Sequence, residues 1–214
     1  MMILGPKIKA QDSEEGLSFI QKIEEISLDR ANRAFTEYLP YVQYNNYQYT
    51  GLNLDYASMY SLLEYSPNEQ GIFQVAMLYD NQTITSIYQQ RVDGLFELAR
   101  FVDYPQITDL RSDQAVSDGQ ESRILGSDLS KGASFQSGYN NEYTRTIRAI
   151  LPSWTKENLH FNDVLVIQET GYSDGQSKWY YFAPNFGIIC IEVRDGNDQI
   201  VAESRLDRVF NNTD

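Results

Sequence analysis

Residues 161–193 read Phe161-Asn-Asp-Val-Leu-Val-Ile-Gln-Glu-Thr-Gly-Tyr-Ser-Asp-Gly-Gln-Ser-Lys-Trp179-Tyr-Tyr-Phe-Ala-Pro-Asn-Phe-Gly-Ile-Ile-Cys-Ile-Glu-Val193. Two runs rich in β-branched and aromatic residues, Phe161–Glu169 and Trp179–Val193, flank a polar turn at Gly171–Lys178. The second run is itself broken at Pro184-Asn185-Phe186-Gly187. Strand-forming runs separated by turn chemistry are what an antiparallel meander requires.

The same pattern extends in both directions. Tyr47 and Tyr49 alternate with polar residues and predict a first strand, followed by strands at Tyr56–Tyr65, Ile72–Tyr79, Thr83–Arg91 and Leu95–Val102. Ser66-Pro67-Asn68, Asp80-Asn81 and Asp93-Gly94 supply the breaks, and short strands at about ten-residue spacing read as hairpins. Residues Tyr104–Gln120 turn polar and mark a seam; Arg123–Phe135 reads as an irregular lead. A hairpin is expected from Ala133–Ser137 and Glu142–Leu151, a connector at Pro152–Asn158, and a last strand at Gln199–Val209 after a type I′-like turn at Asp195–Asp198. Upstream, Leu17, Ile20, Ile23 and Ile26, then Leu28, Ala31, Ala34, Phe35 and Leu39, recur at helical steps within Ser13–Tyr38. Ser13 is the expected cap, a break falls near Ser27-Leu28-Asp29, and the polar faces predict an arm packed loosely on the body.

The expected fold is therefore mainly β, α+β at most: an antiparallel meander curved into an open or half-closed barrel. A helical arm at 1–40 precedes a single β domain at 41–214, with room for two similar halves at 41–104 and 121–210. At 214 residues such a domain buries a useful core without staples. The 16 Tyr and 10 Phe exclude a disordered chain. A net charge of −13 repels phosphate backbones, so nucleic acid is excluded as a partner. The lone Cys190 excludes an internal disulfide. Residues 1–10 hold no apolar core of signal-peptide length, so the chain either stays inside the cell or has lost a leader, and the doubled Met points to the second. Membrane contact is expected only through a lipid anchor or signal segment outside this sequence.

Several phrases together carry a family likeness: Tyr-x-Tyr-x-Gly at 47–51, Leu129-Ser-Lys-Gly-Ala-Ser-Phe135 before Arg145-Thr-Ile, Phe161-Asn-Asp-Val-Leu-Val-Ile, and Trp179–Glu192. Over residues 38–195 the chain resembles a family of uncharacterised β-rich secreted or lipid-anchored envelope domains of Gram-positive bacteria, whose segments look like "PL..GTSW", "G.F.nvi.v" and "YYA.GVGLVK". It departs from them at Trp154–His160, where the family has Thr-Pro-Ala-Gly-like residues, and at Cys190, where the family has lysine. The resemblance implies an antiparallel sheet and a place outside the cell or anchored on the outer face of its membrane, against a cytoplasmic alternative. It implies no activity.

No nucleophile elbow, P-loop, zinc-protease or dinucleotide fingerprint is present, so no catalytic residue, cofactor or metal is expected. His160 is the single histidine and reads as a surface or edge-strand residue; Cys190, between isoleucines, reads as an inert core thiol. Glu64 with Asp80, or Glu169 with Glu192, are carboxylate pairs that a sheet could bring together. Ligand-facing aromatics are expected at Tyr44, Tyr47, Tyr49, Trp179 and Tyr181. Three functions remain open on the sequence: a non-catalytic envelope or surface protein with a ligand- or glycan-binding face, a carrier or chaperone of a lipid-like ligand in a curved-sheet cavity, and a carboxylate-based hydrolase.

Overall fold

The computed structural model describes residues 18–28, 33–53, 57–103 and 108–211. Twelve strands form one antiparallel sheet: β1 (Asn46–Leu52), β2 (Met59–Tyr65), β3 (Ile72–Leu78), β4 (Thr83–Arg91), β5 (Gly94–Val102), β6 (Ser122–Gly126), β7 (Ser134–Ser137), β8 (Tyr143–Lys156), β9 (Leu159–Thr170), β10 (Ser177–Ala183), β11 (Gly187–Arg194) and β12 (Ile200–Phe210). Every ladder joins sequence neighbours except β1–β12, which ties the first strand to the last. The two free edges, β6 and β7, approach each other. Gly126 lies under the Phe135 ring, Gly138 N donates to Ser122 Oγ at 2.9 Å, and Arg145 Nη1 donates to the Ile124 carbonyl at 2.5 Å. The sheet is thus nearly closed into a barrel, which leaves little exposed strand edge.

Side-chain alternation divides the core between two faces. Leu165 and Ile167 of β9 and Tyr180 and Phe182 of β10 join Phe73, Val75, Leu95, Leu125 and Ile147 from both arcs of the ring, so this cluster fills the interior. Their neighbours Val164, Val166, Trp179 and Tyr181 face outward and are covered by the helix α1 (Phe19–Glu25) through Ile23, with Phe19 and Ile20 alongside. Because both faces are covered, β9 reads in sequence as one apolar run. On the opposite wall, Leu110 and Val116 of the segment carrying the helix α2 (Gln114–Asp118) cover Ile72, Ile87 and Phe96. No helix among the described residues is long and apolar enough to cross a membrane.

Several sequence expectations change here. Helix α1 is capped by Ser18, whose hydroxyl accepts from Gln21 N while Gln21 Oε1 accepts from Ser18 N; the expected cap at Ser13 lies outside the described residues. The arm is not loosely held over residues 33–40: Phe35, Tyr38 and Leu39 are buried in the interior cluster. The polar lead at Arg123–Phe135 overlaps β6, which starts one residue earlier, and the seam contains α2, whose flank is tied down by Leu110 N donating to the buried Gln74 at 2.8 Å. The connector Pro152–Asn158 is the end of β8 and its turn. Proline is tolerated there because β7 pairs β8 only over Tyr143–Thr146, leaving one side of the strand free at Pro152. The turn after β11 is not type I′: Asp198 alone among its non-glycine residues has positive φ, and Asp195 Oδ1 accepts from Asn197 N and Gln199 N.

Candidate functional site

Strand direction fixes two ends to the barrel. Turns 66–71, 92–93, 157–158 and 184–186 form the upper end; loops 138–142, 171–176 and 195–199 form the lower. The upper end is plugged by the 3-10 turn Phe35–Tyr38 and the residues after it. Asn185 N donates to Glu37 O at 2.7 Å, Tyr38 Oη donates to Asp163 O at 2.9 Å, and Arg33 forms ion pairs with Glu37 and Asp163. Pro40 packs on Gly187, where a Cβ would come within 2.8 Å of the proline.

Beneath the plug lies an apolar cavity of about 100 Å³. Tyr49, Met59, Met77, Leu95, Ile124 and Phe182 contribute to its wall, with Ile188 and Ile191 from β11. A second hollow of about 140 Å³, against Leu39, Leu63 and Phe73, shares Pro40 and Tyr41 with it. Tyr41 is the partition between them, and it holds φ 61°, a strained conformation for an aromatic residue. Its backbone N donates to Tyr47 Oη at 3.1 Å and its hydroxyl bonds Ser61. Tyr49 Oη donates to Ile188 O at 2.8 Å. The polar atoms of the wall are thus spent on one another, which leaves an apolar lining. Burial pushes the phenols of Tyr41 and Tyr49 above their ordinary values, and that of Tyr47 up to about 12. They stay neutral at physiological pH, so the lining carries no charge from these phenols.

Charge gathers at the lower end of the same interior. Glu97 accepts from Ser86 Oγ at 2.7 Å and from Arg100 at 2.9 Å. Glu169 accepts from Arg145 Nε at 2.6 Å, from Tyr180 Oη at 2.9 Å and from Tyr172 Oη. Lys178 completes the group, its ammonium 4.9 Å from the centre of the Tyr172 ring. Tyr88 belongs to both regions: its ring lines the cavity, and its hydroxyl, raised first by burial, feels both Glu97 and Arg100.

Of the five expected ligand-facing aromatics, Tyr49 lines the cavity. Trp179 and Tyr181 are buried on the outer face under α1, where Trp179 meets Phe19 edge-on at 5.0 Å and Tyr181 Oη donates to Glu192 at 3.0 Å. Tyr47 is buried beside Tyr49. Tyr44 is half-exposed and begins a row of rings, Tyr44–Phe186 at 5.5 Å, Phe186–Phe161 at 5.1 Å and Phe161–Trp154 at 6.3 Å. The wall residues Met59, Met77, Leu95 and Ile124 carry no signal that separates them from ordinary strand residues; only register around a closed barrel brings them together.

The carboxylate pairs are not assembled. Glu169 accepts from Tyr180 and Glu192 from the next residue, Tyr181, so the two lie on opposite faces of the sheet. Glu64 bonds Gln74, whereas Asp80 lies beyond the other end of β3. His160 is exposed and bonds Thr155 across the β8–β9 turn. Cys190, Glu192 and Glu203 bring ligand atoms within 4.8 Å of one another. Lys156 Nζ already bonds both carboxylates, and burial pushes the thiol well above its ordinary value, so an ammonium occupies the place a metal would need.

No family model matches the chain, and no curated protein matches it. Among solved structures it is similar to a candidate lipoprotein of Parabacteroides distasonis, with 14% identity over 80% of this chain and 97% of that one, at a TM-score of 0.40.

Proposed function

We propose that this protein is a non-catalytic binding protein of the cell envelope, and that its barrel holds an aliphatic ligand in the interior cavity. The cavity carries the reading: an apolar hollow with its polar atoms internally satisfied stays dry and gains from an apolar guest. Among the described residues, the site below it contains no nucleophile paired with a base. Exposed Leu52, Leu78, Val102 and Ile200 stand at the lower ends of their strands, as a cargo-transferring rim would require. The envelope location rests on the sequence resemblance over residues 38–195.

The test is thermal denaturation with and without 1-octanol, on the natural chain and on a Met77→Trp variant that fills the cavity. Octanol raises the Tm of the natural chain and leaves that of the filled variant unchanged. Equal shifts in both proteins, or none in either, defeat the reading.

A second reading has its own observation, the half-exposed row Tyr44–Phe186–Phe161–Trp154. Such a row stacks on sugar rings, and a glycan-binding face predicts retention on insoluble cell-wall polysaccharide that is lost on Trp154→Ala. Retention unchanged by that substitution removes it.

A further inference from the structure

The two hollows at the upper end differ in access. The inner one, about 100 Å³, has no exposed residue in its lining. The outer one, about 140 Å³, is bordered by Val42, Pro67 and Gln90, all exposed, with Val42 at 64%. It therefore reaches solvent, while its remaining wall, Leu39, Leu63 and Phe73, is apolar.

Pro40 and Tyr41 border both hollows. Pro40 is fixed against Gly187. The chain is tied again just beyond, where Gln43 O accepts from Asn211 Nδ2 at 3.1 Å and Asn45 N donates to Asn211 Oδ1 at 2.8 Å. Tyr41 and Val42 are the residues left between these anchors. The Tyr41 ring meets Tyr47 edge-on at 4.9 Å and Phe73 of the outer wall at 6.4 Å. Among the described residues its hydroxyl has one hydrogen-bond partner, Ser61 of the inner wall. Its φ of 61° is a conformation that an aromatic residue holds only under constraint, and residues so held collect at ligand clamps and switches. Letting go of Ser61 relieves that strain.

Size points the same way. A dry cavity of about 150 Å³ takes a benzene ring, so the inner hollow alone takes a group of roughly four carbons and the two joined take roughly ten.

We infer that Tyr41 is a gate: it swings outward from Ser61 on the side of Val42, joins the two hollows, and admits one unbranched aliphatic chain that passes Pro40 and occupies both. This inference rests on the cavity reading above and adds to it the residue that sets the length of the chain.

Isothermal titration with 1-butanol, 1-hexanol, 1-octanol and 1-decanol tests it, with a cooperative thermal transition showing that each variant is folded. Every methylene buried tightens binding about fourfold, so on the natural chain affinity keeps climbing beyond butanol. Leu63→Trp, which fills the outer hollow and does not border the inner one, leaves butanol as it was and abolishes the gain for the longer alcohols. Ser61→Ala leaves the Tyr41 hydroxyl unpaired only while the gate is shut, so it tightens octanol and decanol about fivefold and does not move butanol. A serine that merely supports the fold would move all four alcohols alike. If affinity stops rising at butanol on the natural chain, if Leu63→Trp binds decanol as tightly as the natural chain does, or if Ser61→Ala moves all four alike, Tyr41 is a fixed wall and the gate is overturned while the cavity reading stands. If none of the four binds, both fall.

Discussion

Arg145 of β8 reaches past its ladder partner Phe135 and donates from Nη1 to the carbonyl of Ile124 at 2.5 Å, joining the two free edges of the sheet from inside. The same guanidinium bonds the buried Glu169 through Nε and lies 4.3 Å from the centre of the Tyr180 ring. One side chain thus closes the barrel and neutralises an interior carboxylate. Arg145→Met leaves Glu169 buried without its counter-ion, and is expected to cost about 3–5 kcal/mol in urea denaturation. The double change Arg145→Met with Glu169→Gln recovers part of that loss. A single substitution costing under about 1 kcal/mol contradicts the assignment.

Acid should unfold the protein through its buried carboxylates. Burial opposes the charged form of Glu169, but Arg145 and the bonds from Tyr172 and Tyr180 outweigh it and hold its carboxyl below the ordinary range. Glu192 is held down in the same way, against burial, by Lys156 and Arg194. A folded pKa below the unfolded one contributes stability that is present above the unfolded value, about 4.3, and is lost as pH falls through the folded value. Stability is therefore expected to hold between pH 7 and about 5 and to decline below about pH 4. Denaturation curves at several pH values check this, and Glu169→Gln should flatten the acid limb.

Trp179 shows where the sequence misleads about a site. A tryptophan in an exposed-looking aromatic run suggests a ligand platform, yet it is fully buried, with Nε1 bonded to Ser177 at 2.9 Å and Arg194 stacked over Phe19 beside it. Trp179→Ala should cost about 3–5 kcal/mol in stability and blue-shifted tryptophan emission should fall with it. A fully stable variant would place the indole elsewhere.

The hairpins were legible because each depends on local chemistry: Asp93-Gly94, Pro184–Gly187 and Ser66-Pro67-Asn68 break runs whose alternation is plain. The strand that carries Tyr49 was legible for the same reason, by its alternation. β6 was not, because Ser122–Gly126 is short, carries one glycine and one arginine, and is a strand only by pairing with β5. The plug was missed because Phe35, Tyr38 and Leu39 look like one face of a helix, and only tertiary contact with Asp163 and Asn185 shows that they stop the barrel.

Cys190 should be silent to thiol reagents. It is fully buried opposite Tyr181 and Arg205, and burial keeps the thiol protonated far above its ordinary value, with Lys156 only partly offsetting this. The thiolate is the reactive species, so a disulfide-exchange reagent at pH 8 should modify none of the native protein in minutes and all of it in denaturant. Rapid native labelling would mean that the outer face under α1 opens.

The seam between the first and last strands should be the least tolerant place for an added methyl group. A Cβ at Gly51 of β1 would lie 1.9 Å from the carbonyl oxygen of Glu203 in β12, and 2.9 Å from Ala57 on its other side. Backbone meets backbone there, so no side chain can move aside to relieve it. Gly51→Ala must push β1 off β12, which is the single ladder joining the two six-strand meanders. The expected cost is about 3 kcal/mol, read as a lowered Tm, whereas Gly175→Ala, whose Cβ would meet nothing within 4 Å, carries only the penalty of its positive φ of 76°. A Gly51→Ala protein as stable as the natural chain would mean that β1 and β12 are not in this register.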